Sequence, residues 1–312
     1  MSGIPLLAGR DVELAVAPER ALAAVRDAFV RFARGEWTMQ PKLYVTNYPA
    51  GDFRAMPALG AGHALLKWVT SFPGNPARGL PTVTGLVILS DAETGMLRAV
   101  LDAGAVTALR TGAAAAVAAD ALARPEAETA AVVGVGVNGE SCARMLAASG
   151  RTPLLWDVDG TRARVVAERV GGRVAGRAEA LGADVVVTVT PGKALLYEEG
   201  SLRPGQHVSL MGADGPGKAE VAVAELARAR LVADDWEQAS HGGELAAAVE
   251  AGVGARAAGT MLGDVLAGTA EGRRDDDEIT LFDSTGLAIQ DLAIALAAVE
   301  RLDELDVPRF TP

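Results

Sequence analysis

The sequence predicts an α/β protein built from two domains, and three observations carry that reading. At 312 residues the chain exceeds the usual single hydrophobic core. Its first third strings together short β-like runs separated by Pro, Gly, Asn and Asp clusters. From Thr129 onward, short apolar runs alternate with helical stretches, the pattern of a parallel sheet covered by helices.

Taken in order, residues 18–34 are expected to form an amphipathic helix, because Leu22, Val25, Phe29 and Phe32 recur at helical spacing. The runs 43–48, 64–70, 82–90 and 97–101 predict a mostly antiparallel sheet. Residues 105–124 are rich in alanine and lack proline, so they predict a long helix that Pro125 closes. Strands are then expected at 129–133, 153–156, 184–189, 207–211 and 230–233, and once more at 279–282 after the charged loop 271–278. Residues 287–302 predict a last helix with Leu292, Ile294, Leu296 and Val299 as its apolar positions. No repeat of solenoid period is present.

Composition excludes several classes of function. Half the residues are hydrophobic and 22% are charged, as in ordinary globular proteins. The formal charge of −11 leaves no basic stripe for nucleic acid and disfavours an anionic membrane surface. The apolar stretch 113–123 is read as too short to span a bilayer, and Asp120 interrupts it. The single Cys142 cannot form an internal disulfide, and no basic-then-apolar leader is read, so the expectation is a cytoplasmic chain. Cys142 is expected to be a small buried hydrophobe. His63, His207 and His241 are too far apart for zinc-type spacing, so no metal is expected.

The strongest motif is Val132-Val133-Gly134-Val135-Gly136-Val137-Asn138-Gly139, a hydrophobic run entering G-x-G-x-x-G with a helical stretch from Glu140 to about Ala148 behind it. The first glycine permits a tight turn and the second lets backbone approach a pyrophosphate. The third allows close helix–strand packing, and the helix N-terminus favours the phosphate charge. Such a loop alone is weak evidence, but the next strand ends in Asp157, about 20 residues on, where an acid accepts a ribose 2′-hydroxyl. The expectation is a Rossmann domain binding a dinucleotide through Gly134, Gly136, Val137, Asn138, Gly139 and Asp157. Asp157 favours NAD over NADP, while Arg162 and Arg164 keep NADP open.

Elsewhere, single charges stand out. Lys67 interrupts the apolar run Ala64-Leu65-Leu66-Lys67-Trp68-Val69, and Arg110 lies at the front of the alanine-rich helix. Buried cations need an anion beside them. Spacing alone favours a snorkelling lysine and a surface arginine over a ligand-binding pair, and both readings stay open here. Asp214, set among Gly212, Gly215 and Gly217 after a predicted strand, fits either a turn residue or a general acid/base.

Together these segments resemble the ornithine cyclodeaminase/μ-crystallin family, which includes archaeal-type alanine dehydrogenases and ketimine reductases. The resemblance rests on Phe53-Arg54-Ala55-Met56-Pro57, on Lys67-Trp68-Val69-Thr70-Ser71-Phe72-Pro73-Gly74-Asn75, and on Gly79-Leu80-Pro81-Thr82-Val83-Thr84-Gly85. It continues through Thr107-Ala108-Leu109-Arg110-Thr111-Gly112-Ala113, the dinucleotide loop, residues 212–218 and Phe282-Asp283-Ser284-Thr285-Gly286. The ordered set spans about residues 41–291.

The resemblance implies an α+β substrate-binding and dimerisation domain, residues 1–118 with 284–312, and a Rossmann NAD(P)-binding domain, residues 119–283. It implies that Lys67 and Arg110 bind a substrate carboxylate, with Lys42 as a third cation. Asp214 and Lys67 would be catalytic, Asp214 as the acid/base at the reacting nitrogen. Thr82, Thr190, Lys218 and Ser284 would line the cofactor. It also implies a homodimer. Two positions depart from the family pattern: Asn138 replaces a usual glutamine, and Arg54 stands where cyclodeaminases carry a glutamate. An arginine cannot serve as a base and instead favours an anion, so Arg54 joins the substrate-binding set. The expected activity is NAD(P)-dependent hydride transfer at the α-carbon of an amino or imino acid, alanine dehydrogenase- or ketimine reductase-like. The alternatives are an ornithine or lysine cyclodeaminase with tightly bound NAD, and a non-catalytic small-molecule binder.

Overall fold

The computed structural model describes residues 3–192, 194–212, 218–253 and 259–311. The chain divides into two compact units, Met1–Arg110 with Leu287–Pro312, and Thr111–Gly286. The boundaries therefore fall at 110/111 and 286/287 rather than 118/119 and 283/284. The first lies inside a continuous helix, where no break in pattern marks it in the sequence.

In chain order the elements are β1 (Ile4–Leu7), α1 (Gly9–Ala15), α2 (Pro18–Ala33), β2 (Thr38–Met39), β3 (Leu43–Asn47), β4 (Gly51–Gly60), β5 (His63–Ser71), β6 (Val83–Asp91), β7 (Leu97–Asp102) and α3 (Ala103–Leu122). There follow β8 (Ala130–Val133), α4 (Val137–Ala148), β9 (Pro153–Trp156), α5 (Gly160–Val170), β10 (Arg173–Val174), α6 (Arg177–Leu181), β11 (Val185–Thr188) and β12 (His207–Leu210). The chain continues with α7 (Val223–Arg228), β13 (Arg230–Ala233), α8 (Trp236–Gly242), α9 (Leu245–Glu250), β14 (Thr260–Met261), α10 (Leu262–Ala267), β15 (Thr280–Asp283), α11 (Ala288–Val299) and β16 (Arg309–Phe310).

The first unit holds an eight-stranded sheet ordered β16-β1-β7-β6-β5-β4-β2, with β3 also on β4. Only the β1–β7 pair is parallel; the rest is antiparallel, as the short runs imply. Strand β4 is the element the sequence hides, because Pro57 interrupts it. The structure accommodates Pro57 at a gap: β3 pairs with Gly51–Ala55 and β2 with Ala58 and Leu59, leaving that edge free where proline lacks its N–H. Along β5, Leu65, Lys67 and Val69 are buried while Leu66 and Trp68 are exposed, the period of two that separates the faces. Helix α11 packs on the buried face and on α2. It is buried almost all round, which explains why its pattern is apolar without a clear stripe.

The second unit is an eight-stranded, wholly parallel sheet ordered β10-β9-β8-β11-β12-β15-β13-β14. Every residue of β8, β11, β12 and β15 is buried, as expected of strands in a parallel sheet covered on both faces. From β8 the order runs outward to β9 on one side and to β11 on the other. Such a reversal opens a crevice at the carboxyl ends of the strands. Helix α3 is long and apolar enough, by length and composition, to cross a membrane, which revises the expectation drawn from its shorter core. However, 72% of that window is buried inside the protein, as in the core helix of a globular chain.

Candidate active site

The glycine loop sits at the β8 switch point. Gly134 leaves β8 with φ +90°, and a Cβ there would lie 2.7 Å from the Val189 carbonyl oxygen. A Cβ on Gly139 would overlap the Gly134 carbonyl oxygen, so α4 can approach β8 only with glycine there. Gly136 is different: it caps α4, and a Cβ on it would meet nothing within 4 Å. Its space is open, and the unpaired amides of the first α4 turn lie just beyond it. That is the cradle a pyrophosphate needs, so this chain's residues fit a dinucleotide. Val137 is 76% exposed beside it.

Asp157 follows β9 and locks the loop: its carboxylate accepts the Val135 amide at 2.7 Å and the Asp159 amide at 2.8 Å. Arg162 lies 3.8 Å from Asp157 and 3.6 Å from Asp159. This arginine is held by two acids, which opposes its recruitment to a 2′-phosphate.

Behind the carboxyl ends of β11, β12 and β15 runs a chain of buried carboxylates that the sequence reading missed. Glu220 accepts the Thr188 hydroxyl at 2.6 Å, the Thr190 amide at 3.0 Å and the Thr190 hydroxyl. Glu244 accepts the Glu220 amide at 2.5 Å, and Asp283 accepts the Leu245 amide at 2.8 Å. Asp234 accepts the Gly286 amide at 2.7 Å and the hydroxyls of Ser284 and Thr285. Burial, reinforced by repulsion from Asp283 and Glu220, pushes the Glu244 carboxyl up to about 8. Burial, opposed by the Leu245 amide and reinforced by Asp234, pushes Asp283 up to about 8 as well. Two of the expected cofactor contacts, Thr190 and Ser284, are thus held from behind by Glu220 and Asp234.

In the first unit, charges gather on the buried face of the sheet. Lys67 is 1% exposed and donates to Asp291 Oδ1 at 2.8 Å, and Arg110 Nε lies 3.5 Å from the same oxygen. Arg54 pairs with the buried Asp52 at 2.6 Å and lies over the Tyr44 ring. Burial pulls the Lys67 ammonium down to about 8; Asp291 opposes that fall, while Arg110 and Arg54 add to it. The snorkelling and surface readings of Lys67 and Arg110 are therefore set aside: both engage a buried carboxylate.

The remaining expected residues are more scattered. Lys42 and Thr82 are half-buried, and the Thr82 carbonyl accepts the Phe72 amide at 2.8 Å. Lys218 is half-buried, packed where a Cβ on Gly192 would touch it. Asp214 lies outside the described residues. Cys142 is fully buried. His207 is buried between Thr280 and Ser209 and pushed by that burial down to about 3, so it stays neutral and structural. Among the described residues no group of three or more His, Cys, Asp or Glu side chains could hold a metal ion.

A glycine cradle at the switch point of a parallel sheet defines an α/β dinucleotide-binding protein. Within that class, the chain belongs to the ornithine cyclodeaminase/mu-crystallin family, whose model matches residues 6–305. It is 41% identical over 309 residues to the alanine dehydrogenase of Archaeoglobus fulgidus, covering 95% of this chain and 94% of that one. A solved archaeal alanine dehydrogenase dimer with bound NAD superposes with a TM-score of 0.93 at 40% identity, covering 99% of each chain. The iminosuccinate reductase of Paracoccus denitrificans in complex with NAD⁺ superposes with a TM-score of 0.88 at 29% identity, covering 97% of each.

Two glycine substitutions separate fold from binding. Gly136→Ala should leave the thermal midpoint within about 2 °C of wild type, below the shift of a 1 kcal/mol loss. It should nonetheless weaken NADH binding about tenfold or more by blocking the close approach of backbone to pyrophosphate. Gly139→Ala should lower both. Calorimetry with NADH titration checks the pair, and unchanged affinity in Gly136→Ala would contradict the assignment. The buried acids predict a pH trend. Unfolded, Glu244 and Asp283 release protons near the ordinary carboxyl range, about pH 4; folded, they hold them to about 8. The native state therefore binds extra protons between those values, and stability falls as pH rises through that window before levelling. Glu244→Gln should flatten the fall in thermal midpoint across it.

Proposed function

We propose that this chain is an NAD-dependent oxidoreductase that acts at the α-carbon of an amino or imino acid, with alanine dehydrogenase or imine reductase chemistry. The observation that carries the reading is the gathering of cations on the buried face of the first unit. There Lys67 and Arg110 share one carboxylate oxygen, Asp291 Oδ1, and Arg54 lies on the same face beside Asp52. A substrate carboxylate would engage the same cations. Arg110, its side chain 12% exposed, offers a guanidinium fork to it, and Lys67 behind adds charge. Arg54 and Lys42 would serve at the rim of the same site.

Held at Gly134, Gly136, Val137, Asn138 and Gly139, NAD supplies the two-electron oxidant, or the reductant when reduced. Asp157 would accept from its ribose, and Thr190, Lys218, Ser284 and Thr82 would line it. Asp214 would move the proton at the substrate nitrogen. That role rests on the residue's place among glycines, three residues after Met211, and on the family resemblance. Cyclodeamination needs a second proton-moving group beside it. Arg54 occupies the position of the cyclodeaminase glutamate, and the nearby Asp52 is already engaged by Arg54, so net oxidation or reduction is favoured.

The first unit also exposes a continuous apolar surface. Leu43 and Val45 on β3, Leu66 and Trp68 on β5, and Leu86 on β6 are each 38–63% exposed, and Trp68 stacks on Phe53 of β4 at 5.8 Å. An exposed patch of this kind marks an association surface. We assign it to a homodimer, the state named for the archaeal relative. The buried Cys142 and the absence of any disulfide partner suit a reducing cytoplasm.

Incubation with NAD and a panel of amino acids, and with NADH, ammonia and 2-oxo acids, should give stoichiometric change in NADH for at least one small substrate. Ornithine with catalytic NAD should give no proline; cyclic product without accumulated NADH would establish the cyclodeaminase instead. Asp214→Asn should lower turnover by about 10²–10⁴ while leaving NADH affinity unchanged. Retention of more than about a tenth of the rate would reduce Asp214 to a turn residue. Light scattering should give a dimer that Leu86→Glu converts to monomer, and a wild-type monomer at micromolar concentration would contradict the assigned surface.

A further inference from the structure

Lys67 and Arg110 come from a strand and a helix, β5 and α3, and neither is fixed by its own element. Both meet at one oxygen of α11. Lys67 Nζ donates to Asp291 Oδ1 at 2.8 Å, and Arg110 Nε is 3.5 Å from that oxygen. The preceding residue holds the other end of the guanidinium: Gln290 Oε1 accepts from Arg110 Nη1 at 3.4 Å and from the Leu287 amide at 3.3 Å. Gln290 and Asp291 are both fully buried. Asp291 lies in the first turn of α11, where the helix dipole favours a negative charge.

We propose that Asp291 is a positioning residue for the carboxylate clamp: it keeps Lys67 charged and Arg110 aligned, so that the two cations receive the substrate carboxylate together. The proposal rests on the reading of the first unit as the carboxylate-binding half of a redox enzyme. Among the described residues, the charged groups facing Lys67 are Asp291 on α11, Arg110 on α3 and Arg54 on β4, with Asp52 pairing Arg54. Across β6 its partner is Val87, which offers nothing. Asp291 is thus the counter-charge in hydrogen-bond contact with Lys67. Without it, the ammonium would stand against two guanidinium groups in a buried setting and lose its proton at lower pH.

Asp291→Asn keeps the shape and removes the charge. Steady-state turnover of a 2-oxo acid with ammonia and NADH should show KM for the oxo acid raised about tenfold or more, the scale of one lost hydrogen bond to a charged group. NADH affinity should not change, because Asp291 engages Lys67 and Arg110 and none of the residues assigned to the cofactor. The alkaline limb of kcat/KM should move to lower pH by a unit or more. Nitrogen NMR of Lys67 Nζ should show the same displacement without substrate. Asp291→Glu, which retains the charge but alters its reach, should raise KM while keeping the alkaline limb near the wild-type position. It also serves as the test if Asp291→Asn does not fold. A displaced Lys67 titration with no turnover in any protein, wild type included, would refute the redox reading and sustain the positioning role. An unmoved Lys67 titration in Asp291→Asn, or an unchanged KM in Asp291→Glu, would overturn the proposal.

Discussion

The buried ion pair between Lys67 and Asp291 ties α11 to the sheet of the first unit. Lys67 lies on the same face of β5 as Leu65 and Val69, so its ammonium enters a setting built for hydrocarbon. A lone charge there would cost several kcal/mol, and pairing offsets that cost only when the geometry is good. Asp291 must therefore face β5 at one position along α11, and this fixes the register in which the helix meets the sheet. That contact, with the packing of α11 on α2 and β4, joins residues 287–312 to the first 110 rather than to the unit that precedes them in sequence. Replacing the pair with hydrocarbon would satisfy packing equally well. Retaining two cations at one buried carboxylate oxygen fits a site awaiting an anion.

A comparable logic governs the nucleotide-binding unit. Its strands end in a row of buried acids, each held by backbone amides or hydroxyls from the turns that follow the strands. Glu220 fixes the turn at Thr190, Glu244 holds the chain at Glu220, and Asp234 gathers Ser284, Thr285 and Gly286. Room for these groups comes from small residues: a Cβ on Gly212 would strike the Glu220 carboxyl, and one on Gly243 would strike Asp283. The result is a row of hydrogen-bonded turns at the carboxyl ends of the strands. Turns held in shape lower the ordering cost of binding a ligand there.

Much of this was legible in the sequence, and the reason is local. The loop at Gly134, the strand ending at Asp157 and the alternation after Thr129 depend on neighbours in the chain, and each stands where the pattern puts it. Lys67 and Arg110 announced themselves as charges in apolar runs. What stayed hidden depends on distant partners. Asp291 lies 224 residues from Lys67, and in the sequence it is one acid near the start of an apolar helix, indistinguishable from a solvated one. Glu220, Glu244 and Asp283 likewise read as ordinary charges until the sheet gathers them. Strand β4 was lost because Pro57 argues against a strand unless one knows that β2 and β3 leave a gap opposite it. The family resemblance supplied roles that spacing alone left open.

Hydride transfer by this chain carries the α-hydrogen of an amino acid to NAD in a net reaction. The most direct measurement follows that atom: the enzyme is given NAD and L-alanine or another turned-over amino acid deuterated at the α-carbon, and the products are analysed by mass spectrometry. Reduced cofactor carrying one deuterium is expected, in amounts equal to the 2-oxo acid formed. Deuterium released to water, or returned to a cyclic product while the cofactor stays oxidised, would contradict it.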